Sequence, residues 1–148
     1  MSTLTERLGT GEKRQQVIDD ACKVLDEEVA DKSGLGGLAV KAAYAVVKGI
    51  KPGFIRQAVD HLLDEFLDTL SPFAEEALEK KVNPGSLMLE NRAKMANALL
   101  AVTDRRVQKA ESNVVRKSYE KLRPAAQKHV EAAAPRLAKM LDKYALTS

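Results

Sequence analysis

Apolar residues recur every three or four positions along almost the whole chain, and this spacing predicts a protein built of helices. Val17, Val24 and Val29 mark the first apolar face, because residues at such spacings lie on one side of a helix. The first helix is predicted over Glu12–Ala30, preceded by a flexible N-terminus over residues 1–11. No segment shows the alternation typical of a β-strand, so the expected fold class is all-α.

The stretch SGLGGLAVKAAYAVVKGIKPGF, Ser33–Phe54, is apolar and contains no carboxylate. Its glycines do not match a phosphate-binding loop, since no strand pattern precedes them and no Lys-Ser or Lys-Thr pair follows. About 13 residues are available for a helix, too few to cross a bilayer. We therefore predict a tightly packed core helix with an outer stripe formed by Lys41, Tyr44, Lys48 and Lys51.

Prolines and glycines divide the middle of the chain. Lys51-Pro52-Gly53 is a turn signal, and the apolar spacing after it predicts a third helix over Ile55–Leu70. Ser71 followed by Pro72 is typical of an N-cap and a first helical residue. A short fourth helix is therefore predicted over Pro72–Val82.

A second turn signal, Asn83-Pro84-Gly85, precedes the longest apolar repeat, and Ser86 is expected to cap the helix that follows. This fifth helix is predicted over Leu89–Leu122 if it is continuous, with Glu111–Asn113 as the place where a bend would fit.

Two further prolines mark the last part of the chain. Pro124 is expected to start a sixth helix, and Pro135 is expected to kink or divide that helix. The whole pattern predicts a compact bundle of about six helices in a single domain, residues 1–148.

The length of 148 residues suits one domain, which buries roughly 68–70% of its unfolded surface and needs neither a disulfide nor a metal for stability. Cys22 is the only cysteine, so an intramolecular disulfide is excluded, and this suits a reducing compartment. The first residues contain no apolar run typical of a signal peptide, and no segment is long enough to span a bilayer. We expect a cytoplasmic protein that is not transmembrane.

The net charge of +3 is unevenly distributed. Residues 1–85 carry 11 basic and 15 acidic side chains, whereas residues 86–148 carry 13 basic and 6 acidic ones. The basic half could attract an anionic partner. The simpler interpretation is that the two halves attract each other, within one fold or between copies.

A row of cations would follow the fifth helix, opposite its apolar face, if that helix is continuous. Such a row could bind nucleic-acid phosphates or an anionic bilayer. No aromatic residues interleave with it to stack on bases, and the helix's apolar face is needed for the core. A solvated helix face is the simpler interpretation. The row consists of Lys94, Arg105, Lys109, Arg116 and Arg123.

An acidic stripe is expected on the third helix, where Asp60, Asp64 and Asp68 recur every four residues and His61 lies beside them. Carboxylates and histidine are common metal ligands, but one helix rarely completes a coordination sphere, and the E-x-x-H pattern of di-iron bundles is missing. No metal site is predicted. A solvated face, or a contact with the basic row of a second copy, explains the stripe.

Cys22 and His129 are the remaining reactive side chains. Cys22 lies near an apolar face and is expected to be a buried, unreactive thiol, although the sequence leaves open its proximity to His61 or His129. His129 is expected at a helix surface. No motif for a nucleophile, a metalloprotease or a redox pair is present. No catalytic residue and no cofactor are predicted, and an enzyme is not expected.

Five phrases distributed along the chain are distinctive: ADKSGL (Ala30–Leu35), AVKAAYAVVK (Ala39–Lys48), IKPGF (Ile50–Phe54), LLAVTD (Leu99–Asp104) and VRKSYEKLRPAAQKHVEAAAPRL (Val115–Leu137). In content and order they resemble a small bacterial family described only as a domain of unknown function. The resemblance covers most of the chain and implies a single-domain bacterial protein without an assigned activity or established functional residues.

Three functions are compatible with these observations. The first is a non-catalytic interaction or scaffold protein that acts through charged helix faces, with a protein partner or a second copy. The second is a carrier that holds a hydrophobic, lipid-like ligand between its helices, because a bundle rich in alanine and poor in aromatic residues can leave an apolar channel. The third is a weak, non-specific binder of nucleic acid or anionic lipid through the basic row.

Overall fold

The computed structural model describes residues 3–145, with the side chains of residues 4–144, and this part of the chain contains eight α-helices and no β-strand. The all-α fold class is confirmed, with two more helices than the sequence predicted. The helices are α1 (Thr3–Leu8), α2 (Gly11–Asp31), α3 (Gly34–Lys48), α4 (Phe54–Lys80), α5 (Pro84–Glu90), α6 (Arg92–Gln108), α7 (Asn113–Ala132) and α8 (Ala134–Ala145).

The longest helix, α4, occupies the centre and lies against α1, α2, α3, α5 and α6. Its buried positions, Leu63, Leu67, Ala74 and Ala77, recur at intervals that keep them on one side of the helix. Side chains from α1, α2, α5, α6 and α8 pack into the same core. The core residues that these helices supply include Leu4, Val17, Ile18, Met88, Met95, Leu141 and Tyr144.

The predicted break at Ser71-Pro72 is wrong, because α4 continues through both residues. The Ser71 hydroxyl is buried; it donates to Leu67 O at 2.8 Å and accepts from Leu4 N at 3.1 Å. Pro72 cannot donate to the carbonyl of Asp68, but both residues are exposed, so water can satisfy that carbonyl. Ser71 therefore caps the start of α1, which lies 67 residues away in sequence.

The N-terminus also differs from the flexible segment expected over residues 1–11. Residues 3–8 form α1, in which Leu4 is fully buried and Leu8 is 4% exposed. Residues 1–2 lie outside the described residues. The sequence signal was weak because six residues are too few to show a helical period, and isolated helices of this length are unstable without tertiary contacts.

The predicted continuous fifth helix is wrong and is replaced by α5, α6 and α7. Pro84 is the first residue of α5, so Ser86 lies inside this helix and does not cap it. Residues 109–112 separate α6 from α7, close to the bend that the sequence suggested. Gln127 on α7 reaches the carbonyl of Ala93 near the start of α6, at 3.1 Å, so the two helices form an antiparallel pair.

Pro124 lies inside α7 and does not start a helix, which corrects the sequence prediction. It is exposed, and so is Glu120, whose carbonyl would otherwise accept a hydrogen bond from residue 124. Pro135 does divide the C-terminal region as predicted, since α7 ends at Ala132 and α8 begins at Ala134.

The helix predicted over Ser33–Phe54 is present, but its predicted position in the core is wrong. It forms α3, but only Gly37 of α3 is buried. Leu35 is 88% exposed and Leu38 is 64% exposed.

The predicted apolar face is divided: Ala39, Ala42 and Val46 are exposed, whereas Ala43 and Val47 are half-buried and face α2 and α7. The predicted outer stripe is wrong at Tyr44, which is half-buried and donates to Asp26 on α2. The turn at Lys51-Pro52-Gly53 is confirmed, and Gly53 adopts a left-handed conformation with φ of 75°.

Gly85 lies where α5 packs closely against α8. A Cβ at this position would lie 2.6 Å from the carbonyl oxygen of Ala138 and 2.6 Å from Oδ2 of Asp142. We expect Gly85→Ala to lower the free energy of unfolding by about 1–3 kcal/mol, because the backbone of α8 would have to move. Urea unfolding followed by circular dichroism measures this change.

Gly36 provides the matched control, because a Cβ there meets nothing within 4 Å. Gly36→Ala should leave stability unchanged or raise it by up to about 1 kcal/mol, since alanine loses less backbone entropy than glycine in a helix. Equal effects of the two substitutions would contradict the packing described for α5 and α8.

Candidate functional site

An open groove of about 600 Å³ lies between α4, α6 and α7. The turn before α4 and the turn between α6 and α7 also contribute residues to its lining. Its floor is apolar and is supplied by three helices and one turn. The apolar side chains that line it are Phe54, Ala58, Leu62, Val107, Ala110 and Val115.

One wall of the groove is fixed by a hydrogen-bonded network between α6 and α7. The Tyr119 hydroxyl lies 2.6 Å from Oγ1 of Thr103 and donates to Oδ1 of Asp104 at 2.5 Å. Arg123 donates to both oxygens of Asp104, at 2.9 and 3.2 Å. These bonds hold the pKa of Asp104 below its ordinary value, with Arg123 as the main cause and Tyr119 as the second.

The network also affects the phenol. Burial of the Tyr119 ring, together with its bond to Asp104, raises the pKa of this hydroxyl. Tyr119 therefore stays neutral at physiological pH and acts as a structural donor. The wall is polar where α6 meets α7 and apolar where it faces the groove, through the Tyr119 ring and Val115.

Charged side chains of both signs line the groove, and the exposed ones include Lys51, Lys109 and Glu111. Lys51 and Lys109 lie at its edge, and neither makes an ion pair with another described residue. Arg106 also lines the groove, but its guanidinium is paired with Glu65. His61 completes the edge along α4. The groove thus combines an apolar floor with two unpaired lysines and the carboxylate of Glu111.

A second, smaller groove of about 310 Å³ lies on the other side of α7, between α2 and α3. Val115 and Tyr119 line both grooves, so the first half of α7 separates them. Within the described chain, α7 contributes no fully buried residue. This side of the molecule is more loosely packed than the core around α4.

The basic row predicted from the sequence does not form one line, because α6 and α7 are antiparallel and separated by a turn. Arg105 lies 3.5 Å from Glu65, and Arg123 is bound to Asp104. Arg116 donates to Ala110 O and to Asn113 Oδ1, next to its own helix start. Lys94 is exposed on α6, and Lys109 lies on the groove rim. A partner site formed by these five residues remains a prediction.

The acidic stripe is largely used in contacts within the chain. Arg14 donates to Asp60 at 2.9 Å and to Asp64 at 2.8 Å, and it also binds the carbonyl of Gly9. Asp68 accepts from the hydroxyl of Thr5 on α1. These carboxylates therefore hold α1 and α2 against α4, whereas His61 turns toward the groove.

Neither Cys22 nor His129 lies in the groove. Cys22 is half-buried against the core, and burial raises the pKa of its thiol, so the reactive thiolate is disfavoured. The charges that act on this thiol are those of Arg56, Asp26 and Asp19. His129 is also half-buried, and burial followed by the charge of Lys32 lowers the pKa of its imidazole.

The described residues contain neither a metal-ligand cluster nor a membrane-spanning helix. Residues 3–145 contain no group of three or more histidine, cysteine, aspartate and glutamate side chains arranged to hold a metal ion. None of the helices in that range combines the length and the apolar character needed to cross a bilayer.

A family of unknown function, DUF6918, matches residues 4–145 of the chain. The chain belongs to this family. The expected resemblance to a domain of unknown function is confirmed, and the match includes residues of all eight helices. No curated protein and no solved structure matches the chain. The comparisons therefore show a family but no activity.

The sequence left an apolar space between helices open as one alternative and did not indicate the residues that line the groove. Phe54, Thr103 and Tyr119 come from three separate helices, and only the fold brings them together. A usable signal was present in the two turns, where Lys51 and Lys109 each stand close to apolar helix ends. Their convergence at one rim depends on the antiparallel arrangement of α6 and α7.

The lowered pKa of Asp104 gives a pH-dependent prediction. A group whose pKa is depressed by folding stabilises the protein above its ordinary value of 3.8, and this contribution disappears as the pH falls below that value. We expect Asp104→Asn to reduce the urea midpoint at pH 7 by a small amount, because the pair with Arg123 is partly exposed. The difference from the native protein should shrink as the pH approaches 3.

The matched control is Glu120→Gln, which removes an exposed carboxylate from the same helix as Arg123. The difference in urea midpoint between this variant and the native protein should not shrink as the pH falls from 7 to 3. A constant difference between Asp104→Asn and the native protein from pH 7 to pH 3 would show that the carboxylate charge does not stabilise the wall.

Proposed function

We propose that this protein binds an amphipathic small molecule, with an apolar chain and an anionic head group, in the groove between α4, α6 and α7. The observation that carries this proposal is the combination of an apolar floor with two unpaired lysines at the rim. Ligand sites in proteins are typically apolar clefts of about 300–1,000 Å³ with a few charged groups that fix orientation. The volume of about 600 Å³ falls within that range.

The floor suits a hydrocarbon chain. Phe54, Leu62 and Val107 approach from two helices and leave an apolar surface that water contacts when no chain lies on it. Burial of each CH₂ group of a ligand contributes about 0.8 kcal/mol, so a chain of several carbons is required for useful affinity. The polar groups of Thr103 and Tyr119 bind each other and Asp104, and they do not interrupt the floor.

The rim suits a carboxylate or another compact anion. Lys51 and Lys109 lie at the mouth, where an ammonium group can meet an anionic head without full desolvation. Ser112, the residue that caps the start of α7, also lines the groove, and the start of a helix carries partial positive charge. Because the two lysines outnumber the carboxylate of Glu111 in the lining, the charge balance favours negative over positive head groups.

The two other functions are less well supported. A scaffold that acts through charged helix faces needs free charges, yet Asp60, Asp64 and Arg123 are engaged in ion pairs within the chain. Binding of nucleic acid along a straight basic row would require a continuous helix, and residues 109–112 interrupt it. The groove requires no rearrangement of the described contacts.

Isothermal titration with dodecanoate tests the proposal. The native protein should bind this anion with a measurable Kd, and dodecanol should bind more weakly because it lacks the charge. Lys51→Glu combined with Lys109→Glu should raise the Kd at least about tenfold, since two attractions become repulsions. Ala58→Trp should also weaken binding by filling the groove.

Lys139→Glu is the control for net charge, because Lys139 is exposed on α8 and does not line the groove. It should leave the Kd unchanged. The proposal is rejected if native protein does not bind dodecanoate, or if the rim substitutions and Lys139→Glu have equal effects. Circular dichroism of each variant shows that the fold is retained.

A further inference from the structure

The exposed side of α3 is an apolar surface with no partner in the described chain. Its six residues are all exposed, and on a helical projection they fall within about 60° of one line. Leu35 is 88% exposed, Leu38 64% and Val46 53%. We call this surface the α3 face; it consists of Leu35, Leu38, Ala39, Ala42, Ala45 and Val46.

The outward direction of the α3 face is fixed by contacts on the other side of the helix. Gly37 is buried there, with its Cα so close to Lys32 that an added Cβ would lie 2.7 Å from the Lys32 carbonyl carbon. The Tyr44 hydroxyl donates to Asp26 on α2 at 2.5 Å. Burial and the bond to Asp26 raise the pKa of Tyr44, so this donor persists. These contacts set the rotation of α3 about its axis.

The surroundings of the α3 face are cationic. No carboxylate occurs between Asp31 and Asp60 in the sequence. Lys41 and Lys48 lie on one edge of the face, seven residues apart on the same side of the helix. Lys41 makes no ion pair with a described residue, and the contact of Lys48 with Asp26 is long, at 3.8 Å, with both side chains more than half exposed. Such a contact is weak and leaves the edge positive.

We propose that the α3 face docks on an anionic lipid bilayer, with α3 parallel to the surface and its apolar side chains below the head groups. An amphipathic helix that has apolar residues on one side and lysines at its edge binds such interfaces by apolar burial and by attraction to anionic lipid. The 15 residues of α3 extend about 22 Å, too short to span the hydrocarbon core. Lys41 and Lys48 have flexible stems that let their ammonium groups reach the phosphates.

Charge complementarity favours a bilayer over a second copy of the chain. In a symmetric dimer, both copies would present an α3 that carries no carboxylate of its own. The nearby carboxylate of Asp26 on α2 is already in contact with Lys48 and Tyr44, so α3 supplies no acidic side chain to pair with Lys41 of the other copy. Anionic lipid supplies that opposite charge over the whole contact. This docking surface is separate from the groove and from the basic row on α6 and α7.

Co-flotation of the full-length protein with lipid vesicles tests the docking. Vesicles that contain 30% phosphatidylglycerol in phosphatidylcholine should carry the protein, and vesicles of phosphatidylcholine alone should carry at least about fivefold less. Leu38→Glu combined with Val46→Glu should reduce flotation at least about tenfold. Leu78→Glu is the matched control, because Leu78 is 71% exposed on α4 and lies outside the α3 face.

The charge contribution is tested separately. Lys41→Glu combined with Lys48→Glu should weaken flotation severalfold, and 0.5 M salt should reproduce part of this loss because screening weakens the attraction. Lys139→Glu, on α8, controls for net charge and should have little effect.

Three outcomes would overturn the docking proposal. One is no flotation of the native protein. Another is equal loss with Leu78→Glu and with the α3 variants. The third is a dimer by light scattering that Val46→Glu dissociates, together with no vesicle binding, which assigns the face to a second copy. Dodecanoate titration of the Leu38→Glu and Val46→Glu variant should match the native protein, so failure of docking and failure of groove binding are distinguishable.

Discussion

The continuity of α4 through Ser71 and Pro72 is the constraint on which the rest of the fold depends. A proline inside a helix removes one backbone hydrogen bond, and a buried hydroxyl requires partners of its own. Pro72 faces solvent, so the carbonyl of Asp68, which loses its hydrogen bond within the helix, can bind water instead. The Ser71 hydroxyl binds Leu67 O within α4 and Leu4 N at the start of α1. The Ser71 side chain thus makes one hydrogen bond within α4 and another that holds α1 against α4.

Packing is unequal on the two sides of α4. Around its second half, α1, α5 and α8 contribute fully buried residues such as Leu4, Met88 and Ala134. On the other side, α7 buries no residue fully and α3 buries only Gly37. The chain has only six aromatic residues among 148, and small side chains fill irregular space between helices poorly. The groove and the α3 face both occur on this loosely packed side, supported by a rigid core.

Charge distribution follows the same organisation. The acidic first half and the basic second half of the chain attract each other within one molecule. Arg136 on α8 binds Glu28 and Asp31 at the end of α2, and Lys143 binds Asp20 at 2.8 Å. These ion pairs join α8 to α2, two helices that are distant in sequence. Lys41, Lys51 and Lys109 make no ion pair with a described residue and lie beside apolar surface, and this combination supports the anionic, amphipathic partners proposed for those surfaces.

The sequence by itself determined the helical class, the extent of α2, the turn at residues 51–53 and the division at Pro135, because these depend on local periodicity and on residues with restricted backbone geometry. It predicted an apolar face on α3, of which Ala43 and Val47 turn toward α2 and α7 while Ala39, Ala42 and Val46 are exposed. It could not show whether another helix covers that side, since periodicity defines a face and not its partner. Only the tertiary structure decided that α3 lies at the surface, that Pro72 and Pro124 lie within helices, and that α6 and α7 fold back to build the groove. Each depends on contacts between residues far apart in sequence, whose energies no local pattern contains.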